Sequence, residues 1–183
     1  TNFSQRSKGQ GNLSMNRLSK PFDVTSSRRD NNDFSCDVID SFKVGNLAGD
    51  GLNVQLRNMV VADEGRKFFF VNTSGKIYRF DLSTPNEFST GKFVQTVTPH
   101  AQVHGIALSD DGTKLFTIRF TEETPLVTTY LLPNPYDISS ITQIHQVDIT
   151  DIGVTLPTGG GNNLGRDIEF SKYGHAMFDL IQY

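Results

Sequence analysis

Two short patterns, each present three times and interleaved along the chain, constrain its fold more than any single residue does. The first occupies residues 60–71 (VVADEGRKFFFV), 107–118 (ALSDDGTKLFTI) and 169–180 (EFSKYGHAMFDL). Each copy has a short apolar run, a polar turn closed by Gly65, Gly112 or Gly174, and a second run containing Phe. Glycine there supplies the positive φ of a tight hairpin turn, and Asp110-Asp111-Gly112 is a strong hairpin signal. The second pattern occupies residues 18–26 (LSKPFDVTS), 82–90 (LSTPNEFST) and 132–140 (LPNPYDISS). Leu18, Leu82 and Leu132 are each followed three residues later by Pro21, Pro85 or Pro135. Proline presets a turn and ends a strand. An apolar residue then precedes a Ser/Thr pair. Alternating stretches lead into Leu82 (77–82) and Leu132 (127–132); the stretch 13–18 is more polar.

These patterns read as two halves of one unit. The first supplies strands one and two; the second supplies strand three and its exit turn. A fourth strand follows at 93–97, 141–149 and 34–39. Four short antiparallel strands per unit make a propeller blade. The Gly turns lie 47 and 62 residues apart and the Leu anchors 64 and 50 apart, against roughly 40–50 residues for propeller repeats. The excess sits in 42–56 and 151–164, read as loops or added strands. The expected organisation is a polar arm at 1–12, then a β-propeller-like domain at 13–183. That domain comprises a half blade at 13–40, whole blades at 56–98 and 103–149, and a half blade at 166–183. Joining the terminal halves gives an all-β chain of about three four-stranded blades. Three blades are too few for a ring, and an open stack exposes strand edges. The expectation is that two chains close one six-bladed ring under two-fold symmetry, with the half blades paired between chains, or that the chain is a piece of a longer one.

Composition sets limits on function. With 183 residues, 36 % hydrophobic and 20 % charged, the chain has enough apolar content for a core. It has no 18-residue apolar stretch for a membrane span. The single cysteine, Cys36, excludes an intrachain disulfide or a Cys-rich zinc site. A net charge of −3 gives no basic field for nucleic acid. Charge is uneven: residues 1–30 hold six basic residues against two acidic ones, and the rest is acidic. That asymmetry marks a solvated arm, or one that docks on an acidic neighbour. Residues 1–12 lack the apolar core of a secretory signal.

No catalytic, cofactor or metal residue is assigned. His100 and His104 would share a strand face with Cα atoms about 13 Å apart, too far for one metal. His145 and His175 are isolated. Residues 30–33 and 148–151 are oxygen-rich but lack the EF-hand pattern. The run Gly159-Gly160-Gly161 lacks the Lys-Ser/Thr of a phosphate loop. There is no Gly-x-Ser-x-Gly or His-Glu-x-x-His sequence. Phe68-Phe69-Phe70 is expected in the core, with Phe69 facing opposite to its neighbours.

The LSTP-x-x-x-ST exit turn (82–90), the LSDDGTKLF hairpin (108–116), the segment 76–85 and PYDISS (135–140) together resemble propeller repeats of bacteriophage virion and tail-associated proteins and of some bacterial surface proteins. The resemblance implies a non-enzymatic structural or adaptor component of a phage particle. Such a component would associate with itself and with other virion proteins through blade edges and the arm, and would reside in the virion. The alternative is an extracellular or bacterial-surface glycan-binding propeller that uses Tyr78, Tyr130, Tyr136 or Tyr173 as stacking platforms. A third reading is an enzyme with its site in the central channel.

Overall fold

The computed structural model describes residues 12–16, 38–43, 56–120, 125–151, 164–171, 174 and 176–182. Regular structure among them is β, apart from 3-10 turns at Asp63–Gly65 and Phe88–Thr90. Strands β3 (Leu56–Ala62), β4 (Lys67–Asn72), β5 (Ile77–Leu82) and β6 (Gly91–Val97) form one antiparallel four-stranded meander. Strands β7 (Val103–Leu108), β8 (Lys114–Phe120), β9 (Pro125–Leu131) and β10 (Thr142–Asp148) form a second. Strand β1 (Asn12–Asn16) pairs with β2 (Val38–Lys43), and β11 (Leu164–Phe170) pairs with β12 (Met177–Gln182). The whole-blade readings at 56–98 and 103–149 each coincide with a four-stranded sheet. No helix among the described residues is long and apolar enough to cross a membrane.

The two sequence patterns meet in space. Gly65 and Gly112 take φ of 84° and 68°, and this conformation turns their carbonyls toward the exit turns. The N–H of Asn86 donates to Gly65 O at 2.8 Å, and that of Tyr136 donates to Gly112 O at 2.7 Å. Leu82 N–H donates to Arg66 O at 2.7 Å, and Leu132 N–H to Thr113 O at 2.9 Å. Asn86 and Tyr136 themselves have positive φ, 63° and 64°. Two residues on, Phe88 and Ile138 are buried. The register therefore holds through 86–88, although Asn-Glu-Phe stands there in place of Tyr-Asp-Ile.

Alternation sorts the core. Phe68 and Phe70 face one way, joining Tyr78, Phe80, Leu82 and Phe88. Their rings stack closely, Phe68 on Phe80 at 4.8 Å and Phe70 on Tyr78 at 4.6 Å. Phe69 faces the other way, as its parity requires, and packs between the sheets with Val71, Ile77, Ile106, Leu115 and Ile138. Each such burial contributes about 1.5–3 kcal/mol. A polar latch ties the sheets at their outer edge. Arg79 Nη1 donates to Tyr136 O (2.9 Å), Gln95 Nε2 to Asp137 Oδ1 (2.8 Å), and Ile138 N–H to Gln95 Oε1 (3.0 Å). Bonds from Ser139 chiefly, with help from Gln95 and Asn134, hold the Asp137 carboxyl at about 2.

One expectation needs correction. The terminal half blades do not join into a third blade within the chain: β1–β2 and β11–β12 are separate two-stranded sheets. Strand β2 approaches the turn Phe88–Thr90 of the first sheet, whereas β11 packs on β7 and β8 of the second. Both whole sheets thus stand between the two hairpins.

The paired turns generate a prediction. A Cβ on Gly112 would lie 2.6 Å from the Tyr136 ring, whereas one on Gly174 (φ 70°) meets nothing within 4 Å. Gly174→Ala should cost only the left-handed penalty of about 1–2 kcal/mol. Gly112→Ala should cost about 1–3 kcal/mol more, through the clash with Tyr136. Urea unfolding of both variants checks the difference; equal losses would mean that the exit turn does not brace the hairpin.

Candidate functional site

The first strands of three successive sheets, β3, β7 and β11, lie side by side, and a cleft of about 820 Å³ opens along them. Gly105 is why β11 comes so close: a Cβ there would lie 2.9 Å from Asp167 Cα and 3.1 Å from Ile168 N. Across the gap runs a clamp centred on Asn58 of β3. Its Nδ2 donates to Asp167 Oδ1 on β11 at 2.6 Å, and its Oδ1 accepts the Ile106 N–H of β7 at 3.2 Å. Asp167 Oδ1 also accepts its neighbour's N–H, from Ile168, at 2.8 Å. Burial raises the Asp167 carboxyl above the ordinary range, while the Ile168 and Asn58 bonds pull it back.

Apolar side chains line the floor. Phe116 and Phe170, both half-buried, bring their ring centroids within 4.2 Å. Met59 and the exposed Val61 extend that surface along β3. The rim is acidic. Asp110, Asp111 and Glu169 are exposed, Asp167 lies deeper, and Lys114 is the one cation among the described lining residues. Asp111 serves its own turn: it accepts the Ser109 hydroxyl (2.6 Å), the Thr113 N–H (3.0 Å) and the Thr113 hydroxyl (2.8 Å). The Ser109 and Thr113 bonds hold its carboxyl at about 2, so it stays charged at neutral pH.

The residues weighed in the sequence lie elsewhere. His104 is buried on β7, and His100 sits in the connection before it, with its ring 6.1 Å from that of Tyr130. Burial and the nearby Arg119 guanidinium lower the His100 pKa. No group of three or more His, Cys, Asp or Glu fit for a metal occurs among the described residues. The Asp148 carboxylate accepts the Thr150 N–H and hydroxyl, which makes 148–151 a turn. His145 is exposed on β10. Residues 30–33, Cys36, 159–161, Tyr173 and His175 lie outside the described residues. Tyr78 and Tyr130, considered as stacking platforms, are 1 % and 3 % exposed and belong to the core. Asn58 and Asp167 were not anticipated. They are 109 residues apart in sequence and carry no motif.

No protein-family model and no curated protein sequence matches the chain. Solved structures similar to it include two proteins described as a "putative 6-phosphogluconolactonase". One, from Bacteroides fragilis, has TM-score 0.49 and 15 % identity, covering 76 % of this chain and 33 % of that one. The other, from Bacteroides uniformis, has TM-score 0.47 and 18 % identity, covering 69 % and 33 %. The β-propeller domain of Cps50 (Swd1) from Myceliophteria thermophila has TM-score 0.46 and 13 % identity, covering 69 % and 34 %. The chain thus spans about a third of the length of these structures. The fold is all-β, with two four-stranded antiparallel sheets. The expectation of a phage-particle structural or adaptor protein, with its glycan-binding alternative, is corrected here. The first neighbours bear the name of an enzyme, and none of these three is a phage component.

The clamp makes its own prediction. Asn58→Ala removes a bond to a half-buried carboxylate and orphans the Ile106 N–H. Stability should fall by about 1–3 kcal/mol. The Asp167 pKa should move further up, because the lost bond favoured the charged form. An NMR titration of the Asp167 carboxyl carbon in both proteins reads this out; an unchanged pKa would remove Asn58 from the clamp.

Proposed function

We propose that the chain is a non-enzymatic binding scaffold of β-propeller type, with the first-strand cleft as its binding face. The observation that carries this reading is that the inner polar groups of the cleft are spent on the framework, while Asp110 and Glu169 stay exposed at its rim. Both ends of the Asn58 amide and Oδ1 of Asp167 hold the strands together. The Ser109 hydroxyl serves the turn with Asp111, and Ser171 Oγ accepts the Ala176 N–H. Nucleophilic catalysis requires a hydroxyl or thiol within reach of a base, and the described residues lining the cleft include no His, Cys or Tyr. The charge of the cleft also opposes the activity named for the two Bacteroides proteins. A phosphorylated lactone is an anion, and the four carboxylates against one lysine among the described lining residues repel it. With 6-phosphogluconolactone as substrate, hydrolysis at the buffer rate is expected. Turnover above it that Asp167→Asn abolishes would overturn the scaffold reading.

The assembly belongs to the same proposal. The hairpins β1–β2 and β11–β12 are two-stranded and lie beside different sheets. Exposed strand edges recruit further strands. A two-fold-related copy placing its β1–β2 against β11–β12 completes a four-stranded blade twice and closes a six-bladed ring. Light scattering on the isolated chain should return twice the mass of 20.3 kDa. A monomeric mass would overturn the two-chain ring and favour a longer polypeptide supplying the remaining blades.

A further inference from the structure

We infer that the cleft between β3, β7 and β11 takes a basic peptide segment, with arginine or lysine head groups on its rim and an apolar side chain on its floor. This rests on the scaffold reading and names the class of partner. Charge complementarity decides the occupant: among the described residues that line the cleft, Asp110, Asp111, Asp167 and Glu169 stand against Lys114.

The floor adds a requirement that free amines and metal ions do not meet. Phe116 and Phe170 lie in contact and are only half-buried, and Val61 beside them is 39 % exposed. Arginine and lysine carry long aliphatic stems that cover apolar surface while the charged ends stay in water. A guanidinium also lies favourably on an aromatic face. A cleft of about 820 Å³ holds several side chains, more than a single ion needs. Asp167 is committed to the clamp, so the exposed Asp110 and Glu169 are the groups available to an incoming cation.

The probe is a fluorescein-labelled peptide with the sequence of residues 1–11, a stretch that holds Phe3, Arg6 and Lys8 and no acid. Its counterpart carries Glu at both basic positions. Fluorescence anisotropy against the full chain should show the basic peptide binding at least tenfold more tightly than the acidic one. Its affinity should fall at least tenfold in Asp110→Asn/Glu169→Gln. Both substitutions are at exposed sites and leave the clamp intact, and Glu64→Gln, outside the cleft, serves as control. A rise in salt should weaken the wild-type complex more than the double variant. Absence of binding, or equal binding by wild type and double variant, overturns the inference. Lactone turnover would sink the scaffold reading but leave the anisotropy result standing, so the two fail separately.

Discussion

Each four-stranded sheet depends on the hydrogen bond that closes its exit turn onto its first hairpin, Tyr136 N–H to Gly112 O and Asn86 N–H to Gly65 O. A two-stranded hairpin is marginal by itself. The turn glycine presents its carbonyl only because its φ is positive, and the exit turn reaches that carbonyl only because the proline ahead of it bends the chain. Once closed, the turn drives Phe88 or Ile138 inward. Ile138 then joins Phe69 and Leu115 between the sheets. Local turn chemistry therefore sets the packing of one sheet on the next.

The cleft is a consequence of that packing. When the sheets stack, their first strands converge, and the absence of a side chain at Gly105 lets β11 come against β7. Asn58 then reaches both neighbours with one amide. The carboxylates fall into separate uses. Asp111 and Asp137 are consumed by turns and are held strongly acidic. Asp167 is drawn into the clamp, where burial pushes it the other way. Asp110 and Glu169 stay exposed at the rim.

Much of the fold was legible in the sequence because propeller-like sheets are built from local meanders. The glycine turns, the Leu-to-Pro spacing and the parity of Phe68-Phe69-Phe70 all act within a few residues. The separation of the terminal halves within the chain was not legible for the opposite reason. Whether β11–β12 meets β1–β2 depends on how far two intervening sheets separate them, and no local pattern encodes that distance. Two of the four candidate stacking platforms failed similarly: an alternating strand does not reveal which faces a neighbouring sheet covers, and Tyr78 and Tyr130 are core. The resemblance to phage repeats followed turn chemistry, which many propellers share whatever their function.

The sequence by itself determined the all-β class, the two four-stranded units and the opposite facing of Phe69 and its neighbours Phe68 and Phe70. These follow from turn residues and a period of two, which operate at short range. Tertiary structure alone decided the site. Asn58 and Asp167 are separated by 109 residues and are ordinary polar residues in their own strands. They become a clamp at the base of an acid-rimmed cleft only when sheet stacking brings β3, β7 and β11 together, because a hydrogen bond of 2.6 Å requires a proximity that no spacing in the chain specifies.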